Sequence, residues 1–71
     1  MRTFAIKLKL ARQKCEMTQK DVAELLSIPL KTYQKYECVA ESGHREPEQE
    51  MLTKIALALN TTTDFLLGLR G

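Results

Sequence analysis

The sequence has no long apolar run, and this excludes a large class of proteins at once. No apolar stretch approaches the roughly 20 residues that a membrane-spanning helix needs. The N-terminal stretch MRTFAIKLKLARQK is too highly charged for a signal peptide. With 44% apolar and 28% charged residues, the composition is typical of a soluble globular protein. We therefore expect a cytoplasmic protein with no membrane contact.

Cysteine and histidine are also scarce, with two cysteines and one histidine in the chain. Cys15 and Cys38 can pair in principle, but cytosolic thiols stay reduced and disulfide-built domains usually carry more cysteines. We expect Cys15 to be a small core residue. Cys38 and His44 lack a second pair of ligands, which argues against zinc. Since the chain also has no glycine-rich phosphate loop and no nucleophile motif, we expect no metal, no cofactor and no enzyme activity.

Charge is divided unevenly along the chain. Residues 1–36 contain eight Lys/Arg and three Asp/Glu, whereas residues 37–71 contain three Lys/Arg and six Asp/Glu. The first half is therefore basic and the second acidic, within a length that makes one domain, residues 1–71. A basic half favours a surface for a polyanion. Uneven surface charge with no partner is the alternative that this pattern leaves open.

The first segment can be interpreted as a strand or as a helix. FAIKLKLA alternates apolar and polar residues, as a strand does. Helical spacing instead gives one apolar stripe made of Phe4, Leu8, Ala11 and Cys15, and the composition favours a helix. Because a single strand among helices would have no partner, we predict a helix over about 3–15.

A second helix begins at MTQKDVAELL. Thr18 is a good N-cap, and Asp21 three residues later completes a capping box. The predicted buried stripe consists of Val22, Leu25 and Leu26.

Ser27 ends the second helix, and Pro29 begins a third one almost immediately. The backbone at Ser27 is expected to have a positive φ, which costs a serine on the order of 1 kcal/mol. An advance of 100° per residue divides the third helix into two arcs. Thr32, Tyr33 and Tyr36 lie on one, which we assign to the core, and Leu30, Lys31, Gln34 and Lys35 lie on the other.

Two further helices complete the chain. The stretch ECVAE can extend the third helix by a turn before Ser42 and Gly43 stop it. Pro47 then opens a fourth helix at about 48–59, and Thr62 caps a short fifth helix that Gly68 closes. The buried face of the fourth helix is predicted to hold Leu52, Ile55, Ala56 and Leu59.

The joint between the second and third helices has the pattern of a helix-turn-helix, over about residues 18–37. Ala23 is small where the third helix must cross the second. From Phe4 to Gly68 the chain resembles the lambda-repressor and Cro-like helix-turn-helix family, also called the xenobiotic response element family. The matching pieces are LKLARQK, MTQKDVAELLSIPLKTYQKYE, GHREP and LTKIALALNTTTDFLLG. The resemblance implies an all-α, compact five-helix DNA-binding domain.

The resemblance also implies roles for particular residues. Gln19 matches a glutamine that bonds a backbone phosphate, and Arg12 and Glu37 match a structural salt bridge between the first and third helices. The DNA-binding positions implied are Gln19, Leu30, Lys31, Gln34, Lys35, His44 and Arg45, of which Leu30, Lys31 and Lys35 match positions that meet base edges. The usual dimer seam lies near the C-terminal end, here Phe65, Leu66 and Leu69. Cys38–Ser42 makes the connection to the fourth helix longer than is usual in the family.

We therefore expect a sequence-specific double-stranded DNA-binding transcriptional regulator. A bacterial or phage repressor acting as a homodimer on a two-fold symmetric operator fits best, and it would be nucleoid-associated when bound to DNA. Since the chain ends just after the fifth helix, we expect no small-molecule effector. The alternative is a protein-interaction module such as the antitoxin of a toxin–antitoxin pair, in which either Ile6 and Leu10 or the CVAES segment holds the partner.

Ile6 and Leu10 lie one turn apart, on the side of the first helix opposite its apolar stripe. They are either scattered surface residues, which need no explanation, or a contact with a second protein.

Overall fold

The computed structural model describes residues 2–69, and in this range the chain forms five α-helices and no strand. The helices are α1 (Arg2–Lys14), α2 (Gln19–Leu26), α3 (Leu30–Tyr36), α4 (Gln49–Ala58) and α5 (Thr63–Leu67). The all-α prediction is therefore confirmed. None of these helices is long and apolar enough to cross a membrane.

The core lies where α1 and the other helices meet, and the apolar stripe of α1 faces it as predicted. Phe4, Leu8 and Ala11 are buried, and Cys15 is partly buried against the same cluster. The Cys15 thiol is 3.2 Å from the backbone oxygen of Leu59, which ties the end of α1 to the end of α4. The buried residues of the other helices are Val22, Ala23, Leu26, Tyr33, Tyr36, Ile55, Ala56, Leu59 and Leu66.

The start of α2 has the predicted capping box. The Thr18 hydroxyl accepts from the Asp21 backbone N–H at 3.0 Å, and the Asp21 carboxylate accepts from the Thr18 N–H at 3.0 Å. Val22 and Leu26 are buried, but the prediction for Leu25 was wrong because this side chain is mostly exposed. On α2, positions 22 and 26 share one face, and position 25 falls at the edge of that face.

Three helices end on non-glycine residues with left-handed backbone. Ser27 has φ 58°, as predicted, and its N–H bonds back into α2. Glu16 and Asn60 have φ 56° and 54° at the ends of α1 and α4. A positive φ reverses the chain within one residue, so neighbouring helices can pack with short connections. α2 and α3 pack against each other across this turn.

The segment after α3 does not continue that helix, so the extension through ECVAE that the sequence left open is absent. α3 ends at Tyr36, and Glu41–Gly43 forms a separate 3₁₀ turn. The Arg45 N–H then donates to the backbone oxygen of Lys35 at 3.1 Å, which holds the returning chain against the end of α3. A Cβ on Gly43 would lie 2.9 Å from the Cys38 sulfur, so a side chain there would force the sulfur or the loop to shift.

Residues 48 and 62 set the starts of the last two helices. Glu48 is the N-cap of α4, one residue after Pro47. The Thr62 hydroxyl accepts from the Phe65 N–H at 3.1 Å and caps α5 as predicted. Gly68 closes α5 with φ 72°, and a side chain there would meet Thr3. α5 thus packs against α1.

Candidate functional site

α3 has an inward and an outward side, as its two arcs predict. Tyr33 and Tyr36 are buried, and their rings meet edge to face with centroids 6.3 Å apart. We call the opposite side the outward arc of α3, and it consists of the exposed side chains Leu30, Lys31, Gln34 and Lys35. The inward side fixes the position of the helix, so the outward arc is held on a rigid base.

A polar cluster joins α3 to α1 beneath the outward arc. The Arg12 Nε donates to Glu37 Oε2 at 2.7 Å, and a second guanidinium nitrogen donates to Oε1 at 3.2 Å. The Tyr33 hydroxyl also donates to Glu37 Oε2. Arg12 further donates to the backbone oxygen of Met17 at 2.8 Å. The salt bridge between Arg12 and Glu37 is thus present, and its two-pronged geometry fixes the angle between α1 and α3.

In this cluster the pKa values of Arg12 and Tyr33 are both raised. The hydrogen bond to Glu37 raises the pKa of Arg12, despite partial burial, which acts in the opposite direction. Burial raises the pKa of the Tyr33 hydroxyl strongly, and the bond to Glu37 raises it further. Both groups therefore keep their protons at any physiological pH, and Tyr33 remains a hydrogen-bond donor.

Gln19 links the cluster to the outward arc. Its Nε2 donates to Glu37 Oε1 at 3.1 Å, and its Oε1 accepts from the Gln34 amide at 3.4 Å. An amide has two N–H donors, so one N–H of Gln19 and one N–H of Gln34 stay available, together with the Gln34 carbonyl. Sequence reasoning placed Gln19 and Gln34 on the same surface but did not foresee that they are bonded to each other.

The two loop residues assigned to DNA behave differently. Arg45 is exposed beside the end of α3, where a phosphate contact is geometrically open to it. His44 is packed inward: its side chain is 10% exposed, its Nδ1 donates to the Cys38 backbone oxygen at 2.9 Å, and its ring lies edge-on to Phe4. His44 therefore anchors the loop, and its burial leaves little of its side chain for the DNA contact that the resemblance implies. Nothing in the local sequence of a loop signals such a tertiary contact.

A shallow groove runs along the outward arc. It has a volume of about 410 Å³ and lies between α3 and the segment 38–43, which we call the inserted loop. Its lining residues are Lys31, Gln34, Lys35, Cys38 and Gly43. Two lysines and an amide thus border a concave strip, which is the surface that a negatively charged, hydrogen-bonding partner needs.

The C-terminal residues assigned to a dimer seam also differ in how exposed their side chains are. Leu66 is 0% exposed and belongs to the core, so it has no surface to offer a second copy. Leu69 is exposed and Phe65 is partly exposed, with the Lys7 ammonium 4.9 Å from the centre of the Phe65 ring. Sequence reasoning did not single out Leu57, which is 77% exposed and the most exposed large apolar residue in the described part of the chain.

Metal ligands do not cluster in the part of the chain that the structure describes. No group of three or more His, Cys, Asp or Glu side chains within residues 2–69 could hold an ion. Cys15 and Cys38 are both free thiols.

Comparisons with known proteins agree with this architecture. A family model described as helix-turn-helix matches residues 8–66. The chain is 40% identical over 62 residues to the HTH-type transcriptional regulator ImmR of Bacillus subtilis (strain 168). The match covers 87% of this chain and 46% of that relative, so the chain spans about half the length of the curated relative it matches. No solved structure gives a significant match.

Proposed function

Because the chain belongs to the lambda-repressor and Cro-like helix-turn-helix family, we propose that it is a sequence-specific double-stranded DNA-binding regulator of transcription. The observation that carries this proposal is the outward arc of α3, which presents two lysines and an amide on a helix whose other side is buried. The protein acts by binding, with no catalytic step, and a repressor of a bacterial or phage gene is the form that fits best.

The geometry of α3 suits the major groove. A helix fits into a groove about 12 Å wide, where each base pair presents a distinct pattern of donors and acceptors. Lys31 and Lys35 donate to guanine O6 and N7, and Leu30 contacts a thymine methyl. Each of these three contacts is one that a base edge in the major groove accepts.

Gln34 completes the outward arc, with Gln19 beside it. The bond to Gln19 holds the Gln34 amide in one orientation and leaves one N–H and the carbonyl oxygen toward the groove. Adenine offers the complementary pair, an acceptor at N7 and a donor at N6. We therefore assign adenine recognition to Gln34, with Gln19 as the residue that orients it.

Contacts to phosphate position the domain. The first turn of α2 has free backbone N–H groups and the positive end of the helix dipole, and Gln19 adds its remaining side-chain N–H. Arg45 supplies a cation on the other side of α3. These groups hold the domain on DNA of any sequence, whereas the outward arc selects the sequence.

A homodimer would double this surface. Two copies related by a two-fold axis place their α3 helices about 34 Å apart, in successive major grooves on one face of the duplex. Phe65 and Leu69 are our candidates for the seam. A protein that stays monomeric on its operator at all concentrations would contradict this part of the proposal.

The test of the proposed function compares three single variants on two kinds of DNA. Lys31→Ala and Lys35→Ala remove cations of the outward arc, and Lys54→Ala removes an exposed cation of α4 as the matched control. Fluorescence anisotropy measures affinity for a selected operator and for random duplex DNA. We expect each arc variant to weaken operator binding by roughly 1–3 kcal/mol and random binding much less. An equal loss on both DNAs would make the lysines phosphate contacts and overturn the assignment of base recognition.

A further inference from the structure

A second exposed surface lies away from the outward arc of α3. Ile6 and Leu10 on α1 are 51% and 47% exposed, and Val39 in the inserted loop is 50% exposed. These three side chains line one groove of about 460 Å³. We call this surface the α1 groove. The inserted loop, which the sequence already offered as a possible contact with a partner protein, therefore supplies one wall of a concave apolar surface.

The polar residues of the α1 groove differ in whether their side chains are free to contact a partner. Lys9 and Gln13 complete its α1 side, and both are exposed. Glu37 lies in the floor, but its carboxylate is already bonded to Arg12, Gln19 and Tyr33. The groove thus offers a free cation and a free amide to an occupant, and its one acidic group is neutralised from within.

The charge of α1 decides between the possible occupants. The helix Arg2–Lys14 contains basic residues and no acidic one. A second copy docking through the same surface would bring two basic helices together, and like charges repel at that distance. DNA is not the expected occupant, because Ile6, Leu10 and Val39 are aliphatic whereas phosphates are bound by cationic and hydrogen-bonding groups.

We propose that the α1 groove binds an acidic amphipathic helix of a second protein. Apolar residues at a spacing of three or four fill the strip between Ile6, Leu10 and Val39, in the manner of a helix lying in a groove. Acidic side chains at the edge of the same helix pair with Lys9. This inference goes beyond DNA binding and does not depend on it, since the groove shares no residue with the outward arc.

The experiment is selection from a random peptide library displayed on phage, with the immobilised wild-type protein as the target. We expect the enriched peptides to carry apolar residues three and four apart, flanked by Asp or Glu. Their synthetic versions should bind the Ile6→Ser/Leu10→Ser double variant at least about tenfold more weakly than the wild type. Lys9→Glu should weaken the same peptides several-fold, and Leu57→Ser, an exposed leucine of α4, should leave them unaffected.

Both altered side chains of the double variant are half-exposed, so its melting temperature and its affinity for DNA should equal those of the wild type. This control separates a failure of the α1 groove from a failure of the proposed function. The proposal is overturned if no peptide is enriched, if enriched peptides lack acidic residues, or if they bind the double variant equally well. Self-association of the wild type that disappears in the double variant would assign the groove to a second copy and would also overturn it.

Discussion

The two sides of α3 differ in what their polar groups contact. On the inward side, the Tyr33 hydroxyl, the Glu37 carboxylate and the Arg12 guanidinium use one another as hydrogen-bond partners. On the outward arc, Lys31 and Lys35 reach solvent. Groups that satisfy one another stabilise the fold, whereas exposed charges contribute little to stability and remain available to a ligand. In our proposal, stability and recognition are thus located on opposite sides of one seven-residue helix.

Truncating the inward side should have the largest effect on stability. Tyr33→Ala removes a fully buried ring and its bond to Glu37, so we expect a loss of about 4 kcal/mol in the free energy of unfolding. In a domain of this size such a loss removes a large fraction of the total stability. Urea denaturation followed by circular dichroism measures it. Gln34→Ala, on the neighbouring outward position, is the control, and an unchanged melting temperature for Tyr33→Ala would refute the core assignment.

Removing the charge of Glu37 should have the next largest effect. Glu37→Gln keeps the shape of the side chain but leaves the partly buried Arg12 without its ion pair, which costs about 3 kcal/mol. Glu24→Gln, an exposed glutamate of α2, should change stability by less than about 0.5 kcal/mol. If chemical denaturation gives the same value for the two variants, the cluster does not hold α1 against α3.

Gln19 contacts both Glu37 on the inward side and Gln34 on the outward arc, so its removal should affect both stability and DNA recognition. Gln19→Ala removes a hydrogen bond to a carboxylate, worth about 1.5 kcal/mol of stability, and it frees the Gln34 amide to rotate. We expect weaker operator binding together with relaxed selectivity at the base pair that Gln34 contacts. Gln34→Ala should relax the same base pair without loss of stability. Effects of the two variants on different base pairs would show that the amides act separately.

The smallest effect concerns the capping box of α2. The backbone N–H of Thr18 lowers the pKa of Asp21 below its ordinary value of 3.8. A carboxyl with a lowered pKa in the folded state stabilises the fold above its unfolded pKa, and this contribution is lost as pH falls through the lower, folded pKa. The stability difference between wild type and Asp21→Asn should therefore shrink as pH falls below 3.8. Melting curves measured across that range test this, and a difference that grows at low pH would contradict it.

Periodicity predicts the helical parts of the molecule well, because it reports which side of a regular helix is apolar. The two arcs of α3 and the stripe of α1 follow from it. The left-handed backbone at Ser27 was predictable because almost no residues separate the second and third helices in the helix-turn-helix pattern. The ion pair between Arg12 and Glu37 was predictable from the family resemblance.

Periodicity has no information where the backbone is irregular or a helix ends. The residues after Tyr36 have helical propensity, but tertiary contacts overrode it: the chain is bound back onto Lys35, and His44 is packed on Phe4. Leu66 was misjudged because a helix of five residues is too short to define a buried face from sequence. Periodicity could not predict the α1 groove either, because Val39 lines the same groove as Leu10 only through the irregular fold of the loop.

Selection of bound sequences from random duplex DNA tests the central claim most directly, namely that the outward arc of α3 recognises bases. We expect the wild type to enrich a two-fold symmetric sequence with half-sites about one helical turn apart, roughly 10 base pairs. The Lys31→Ala protein should enrich a sequence that has lost its preference at one position in each half-site. A library that remains random after selection with the wild type, or an unchanged preference with the variant, would contradict the claim.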